Sequence, residues 1–265
     1  MNIKTKKDVI VLLICIVFLL MNIGAIGSAG RKRAKEIVCL SNLNKWGKVF
    51  EIYTNNNDGK FNTRTNDSGR WYDTICNYQN YESMGLCPMA KTLASPNAEW
   101  GYDWWGSTFL AWGKVPTWDA GGGRTVGVYG SYGVNGYIYV PSGEGPSYVP
   151  MEGFWGTPNV EGASNVPMLL DCYFWCGWPD YTDTPPSYDG ERYKGDDNSM
   201  NRYCLNRHDG SINCVFMDFS ARKVGLKELW TLKWHRTYNT QGPWTKAGGV
   251  MPGDWPHWMR DFQEF

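Results

Sequence analysis

From Asp8 to Asn57 the chain contains no proline, so no residue there lacks a backbone donor or clashes with the preceding helical turn. The first part of this stretch, Val9 to Gly30, carries no charge, and VIVLLICIVFLLMNI is its apolar heart. Its 22 residues match the ~20 that a helix needs to cross a bilayer core. The second part is amphipathic. Ile37, Leu40, Leu43, Trp46, Val49, Phe50 and Tyr53 recur every three or four residues, which is a helical stripe. Asn57-Asp58-Gly59 supplies a stop. One continuous helix over this stretch would be about 75 Å long at 1.5 Å per residue.

That pattern predicts a helix with two jobs, its first half crossing a membrane and its second half packing against a domain. Lys4, Lys6 and Lys7 precede the apolar run, while Arg31, Lys32, Arg33 and Lys35 follow it. The leading lysines favour a cytoplasmic N-terminus. A cleaved signal peptide is the competing reading, since Ala25-Ile26-Gly27 offers small residues at cleavage-like spacing. The helical pattern continues unbroken to Tyr53, which favours retention of Val9–Ala29 as an anchor. The expected organisation is therefore a cytoplasmic segment at 1–7, a transmembrane helix at 8–29, an amphipathic stalk at 30–57 and an exported domain at 58–265.

Beyond Gly59 the chain changes character. Short segments are punctuated by turns, and the 15 Trp, 16 Tyr and 10 Phe stand among 31 Gly and 14 Pro. Such a mixture suits a loop-rich body with rigid aromatic packing. RTVGVYGSYGVNGYIYV (124–140) reads as strands or extended turns, and VPMLLDCYFW (166–175) as a buried strand. SINCVFM (211–217) alternates Ile212, Cys214 and Phe216 before a tight turn and RKVGL, a hairpin signal. LKELWTLKWH (226–235) returns to helical spacing. Twenty-six basic residues balance twenty-six acidic ones, which leaves no electrostatic footprint for nucleic acid.

The order of these segments carries a family resemblance. CLSNLNKWGKVFEIYTNNNDGKF, LCPMA, SYGVNGYIY and RHDGSINCVFMDFSARKVGLKELWTLKWHR follow the basic and apolar N-terminus in turn. Together they resemble bacterial prepilin-like proteins, akin to the major pseudopilin of type II secretion, that carry a C-terminal H-X9-DG region. His208 and Asp218 stand at that motif's His and Asp. The resemblance implies an α+β, pilin-like fold: a long N-terminal helix, membrane-spanning and then amphipathic, packed on a small antiparallel β-sheet with long loops. It also implies a structural, non-enzymatic role at the bacterial inner membrane, single-pass, with the C-terminal domain in the periplasm or at the cell surface. The implied partners are the membrane and other pseudopilin-like or secretion-assembly proteins. Two positions depart from the family pattern. Lys7-Asp8-Val9-Ile10-Val11 lacks the Gly and the following Glu used in processing and filament assembly, so no filament is expected from this chain alone. Phe219 replaces the motif's Gly, which predicts a different turn type there, because a two-residue hairpin turn favours glycine's positive φ.

Several residue groups could carry chemistry. His208 with Asp218 could be an acid–base pair or two metal ligands. The structural alternative, a His at the entry of a strand and an Asp closing its turn by a local backbone bond, is preferred because no nucleophile stands nearby in a recognised spacing. In an exported domain, Cys76 with Cys87, Cys172 with Cys176 and Cys204 with Cys214 are disulfide candidates. Cys204, His208 and Cys214 also form a C-x3-H-x5-C spacing that zinc could use. The secretion pseudopilin's calcium makes Asp189, Asp196 and Asp197 the calcium candidates here, since hard cations take oxygen ligands. Asn56, Asp58 and Gly59 imitate part of an EF-hand loop, with Thr65 where the last ligand should be Glu. Trp104, Trp105, Trp112 and Trp118, among Asp103, Asp119 and glycines, could stack on a sugar. Three functions therefore compete: a pseudopilin-like structural protein, a carbohydrate-binding module and a metal-dependent hydrolase.

Overall fold

The computed structural model describes residues 3–63, 71–72, 84–94, 105–118, 124–141, 151–192 and 198–265, with side chains throughout except at 3–6, 19–26 and 114–127. Helix α1 spans Ile3–Asn55. It ends where Gly59 N–H donates to Thr54 O at 2.9 Å and the Asn57 amide caps Tyr53 O at 2.7 Å. Asp58 and Gly59 both turn the chain through positive φ. The buried side of α1 begins at Cys39 and continues through Leu43, Trp46, Val49, Phe50 and Tyr53. Ile37, which the stripe includes, is exposed. The first buried side chain is thus a cysteine, two residues after Ile37.

Among the described residues eight strands follow, arranged in two sheets. β1 (Thr92–Leu93), β2 (Leu110–Trp118) and β3 (Arg124–Gly130) form the first, with β1 parallel and β3 antiparallel to β2. The second combines β4 (Tyr132–Asn135), β5 (Pro167–Asp171), β6 (Cys176–Gly177), β7 (Ser211–Phe216) and β8 (Ala221–Gly225) in the order β6-β4-β5-β7-β8. Its one parallel pair is β4 with β6.

This corrects the expected fold class. A pilin-like long helix on one small antiparallel sheet is replaced by two mixed sheets, of three and five strands. Period-two alternation and turn residues reveal antiparallel hairpins, whereas a two-residue parallel strand such as β6 leaves no pattern to read. The membrane, transmembrane-helix and signal-anchor assignments are corrected too, and with them a single-pass inner-membrane location. Among the described residues, no helix is long and apolar enough to cross a membrane.

The β7–β8 hairpin is regular from Ser211↔Gly225 to Val215↔Ala221. Phe219 N–H donates to Phe216 O, and Phe216 N–H to Ser220 O, both at 2.9 Å. The loop thus has three residues, with Phe219 at φ 63° in the left-handed position, the place where such loops usually carry glycine. All six residues of β7 are buried, not only Ile212, Cys214 and Phe216. One face of the sheet lies under α1: Asn213 donates to Glu36 O at 3.3 Å, and Lys223 pairs with Glu36 at 3.0 Å. At Gly47 a β-carbon would meet Phe219 O at 2.6 Å, so glycine lets the helix approach the hairpin turn.

Indole donors brace the loop-rich remainder. Trp46 donates to Met84 O, Trp155 to Trp234 O and Trp234 to Leu229 O, at 3.0, 3.0 and 2.8 Å. Instead of the expected helix at 226–235, a short 3-10 turn occupies Lys227–Thr231. In the tail, Trp255 packs on Trp230 and Trp244 with centroids 5.5 and 5.4 Å apart, and Trp258 donates to Pro186 O. A buried indole both fills volume and satisfies a loop carbonyl.

Candidate functional site

Four side chains from distant parts of the chain converge beneath α1. Cys39 comes from the helix, and Cys87 from the loop around 84–90. Asp171 is the last residue of β5, and His208 stands at the entry to β7. One ligand-type atom from each lies within 4.8 Å of all the others, and all four residues are buried.

Each is held by local structure. The loop of Cys87 is strapped to α1 by Trp46 donating to Met84 O and by Asn42 donating to Leu86 O at 3.2 Å. Cys87 N–H donates to the Ser131 hydroxyl, and Ser131 N–H to Gly85 O. His208 precedes a two-residue turn in which Asp209 and Gly210 both take positive φ and His208 N–H donates to Ser211 O at 3.0 Å. The Asp-Gly pair is suited to that conformation. Asp171 accepts from Asn213 N at 2.9 Å through Oδ2 and from Arg207 Nη1 at 2.9 Å through Oδ1. Arg207 is itself almost fully buried and spends its remaining donors on Thr108 O, Ser107 O and Ser131 O.

Within the cluster, His208 Nε2 lies 3.2 Å from Asp171 Oδ2 and 3.5 Å from Cys87 Sγ. Cys39 Sγ is 3.7 Å from each oxygen of Asp171 and receives the Tyr132 hydroxyl at 3.3 Å. The charges are strongly coupled. Burial pushes the Asp171 carboxyl up, but the cations of His208 and Arg207 outweigh it and hold it well below the usual carboxylate range. Burial would lower His208, yet the Asp171 carboxylate lifts it to about 10. Burial raises the Cys87 thiol, while the Cys39 hydrogen bond, His208 and Arg207 bring it down to about 7. Burial, the Cys87 contact and the Asp171 charge all raise Cys39.

A Cys–His–Asp set suggests nucleophilic catalysis, and the geometry argues against it. In a triad the base uses one ring nitrogen for the nucleophile and the other for the orienting carboxylate. Here a single atom, Nε2, faces both the thiol and the carboxylate. All four groups are buried, so no surface among the described residues offers a substrate to Cys87. Two sulfurs, one nitrogen and one carboxylate oxygen, all within 4.8 Å of one another, make up a set of atoms that a metal ion can take as ligands.

His208 therefore belongs to a site, but not with Asp218. Asp218 is exposed on the β7–β8 turn, where its Oδ1 accepts from Ser220 N at 3.0 Å and Ser220 Oγ at 2.7 Å. Cys204 and Cys214, the other members of the proposed zinc spacing, point elsewhere: Cys204 lies 3.9 Å from Met259 Sδ, and the Cys214 thiol donates to Val215 O. Cys87, Cys172, Cys204 and Cys214 are thiols in this structure, so Cys172 is not bridged to Cys176, nor Cys204 to Cys214. Cys76 lies outside the described residues. Of the calcium candidates, Asp196 and Asp197 also lie outside them. Asp189 Oδ1 accepts from the Thr108 hydroxyl at 2.6 Å and from Asn206 N at 3.0 Å, which ties its loop to two neighbouring segments. In the EF-hand-like turn, Thr65 lies outside the described residues. Trp105 and Trp112 are buried, the first stacked on Phe174 at 4.1 Å and the second donating to Tyr132 O. Trp104, Asp103, Asp119 and the Trp118 side chain are outside the description.

Sequence reasoning missed Cys39, Cys87 and Asp171 as companions of His208. One signal was present: Cys39 lies four residues before Leu43, in step with the buried stripe of α1. No family model, curated protein or solved structure matches the chain.

Proposed function

We propose that the protein is a structural, non-enzymatic component of a pseudopilin-like assembly, acting through its projecting helix. The observation that carries this reading is the division of α1. From Cys39 onward the helix is built into the body, whereas Val9–Phe18 presents apolar side chains that nothing among the described residues covers. An uncovered apolar helix face of this length is a partner surface. The sealed Cys39–Cys87–Asp171–His208 cluster speaks against a hydrolase, and burial of Trp105 and Trp112 removes half of the tryptophan platform that a carbohydrate module would need.

Photo-crosslinking of the full chain in its producing cells, with a photoreactive residue in place of Leu13, tests this. The expected product joins Leu13 to the helix of another helix-stalked protein, mapped by mass spectrometry. No protein adduct, or hydrolytic activity abolished by Cys87→Ser in a folded variant, would contradict it.

A further inference from the structure

We propose that Cys39, Cys87, Asp171 and His208 bind one zinc(II) ion in a closed, tetrahedral, structural site that clamps α1 to the sheet.

The separations between the four side chains carry this assignment. Zinc–sulfur bonds of about 2.3 Å and zinc–nitrogen or zinc–oxygen bonds of about 2.0–2.1 Å at tetrahedral angles require S···N and S···O edges of about 3.6 Å and an N···O edge of about 3.3 Å. The structure has 3.5 Å for Cys87 to His208, 3.7 Å for Cys39 to Asp171 and 3.2 Å for His208 to Asp171. These three separations match the edges of a tetrahedron of ligands around one centre.

The surroundings complete the site. Ligating carboxylates are oriented by further hydrogen bonds in metal centres; here Arg207 holds Oδ1 and Asn213 N–H holds Oδ2. The Tyr132 hydroxyl supports the Cys39 sulfur. Two thiolates, a carboxylate, a neutral imidazole, Arg207 and a divalent ion together carry no net charge, which suits a group removed from solvent. Binding transfers the two thiol protons, and the proton held on His208, to solvent; no electrons move. The ligands come from α1, the 84–90 loop, β5 and the entry to β7, so the ion joins segments that chain connectivity leaves far apart, and its binding energy becomes folding energy.

The assignment is independent of the assembly reading and has its own test. Full-length protein, purified with a thiol reductant and then freed of excess metal, is assayed for zinc by mass spectrometry and titrated with Co2+. The expected result is about one zinc per chain and, with cobalt, the intense visible absorption of a tetrahedral thiolate site. Cys87→Ser and Asp171→Asn should abolish high-affinity uptake, while Cys15→Ser, an exposed cysteine outside the cluster, should retain it. If the two variants do not fold, the cobalt spectrum of the unaltered chain still decides. Failure of the reduced protein to take up either ion, full uptake by both variants, or a Cys39–Cys87 disulfide in protein isolated without reductant would each overturn the assignment.

Discussion

Asp171 Oδ1 takes a 2.9 Å ion pair from Arg207 while its Oδ2 lies 3.2 Å from His208, and all three side chains are buried. One carboxylate thus balances a guanidinium and positions an imidazole. Replacing it with Asn would leave the Arg207 charge buried without a counter-ion, which typically costs ~3–5 kcal/mol. Asp171→Asn should lower the unfolding free energy from denaturant titration by that much; a change below ~1 kcal/mol would show that the pair is not an organising feature.

Asp218 should behave differently from His208. Its two bonds to Ser220 lie in water, so Asp218→Ala is expected to cost ~0.5–1 kcal/mol, the scale of a local hydrogen bond. His208→Ala empties a buried site and should cost distinctly more. Equal effects in thermal melts would contradict this separation.

The contrast marks how far the sequence could be read. The hairpin at 211–225 was legible because alternation and a turn are local, and so was the helical stripe from Leu43 to Tyr53. The cluster was not. Asp171 ends a strand that reads as purely apolar, and Cys87 sits in a loop without periodicity; their meeting depends on strand order β4-β5-β7, which no short-range pattern encodes. The notable pair in the sequence, His208 and Asp218, is separated because the strand between them carries one residue into the core and the other to the exposed turn. The mixed sheets escaped for the same reason, since a parallel pairing is made by distant segments.

Gly47 gives a test of helix docking. In an exposed helix Gly→Ala gains up to ~1 kcal/mol, but here the added methyl would press on the Phe219 carbonyl at 2.6 Å. Gly47→Ala should therefore destabilise by ~1–3 kcal/mol. A stabilised variant would mean that α1 does not lie against the hairpin turn as described.

Asp183 provides the pH dependence. Burial raises its carboxyl to about 7, against the pull of bonds from Met200 N and Asp180 N. Because the folded chain holds this proton more tightly than the unfolded one, the contribution of Asp183 to stability is full below ~4, the ordinary carboxylate value, and is lost as pH rises through about 7. Asp183→Asn keeps an acceptor for both bonds and should flatten that part of the stability–pH curve. An unchanged slope would assign the dependence to other groups.

X-ray absorption at the zinc edge of the full-length, zinc-loaded protein tests the clamp most directly. A four-coordinate shell of two sulfurs at about 2.3 Å and two nitrogen or oxygen atoms at about 2.0–2.1 Å is expected. A shell of light atoms alone, four sulfurs, or a protein that holds no zinc would contradict it.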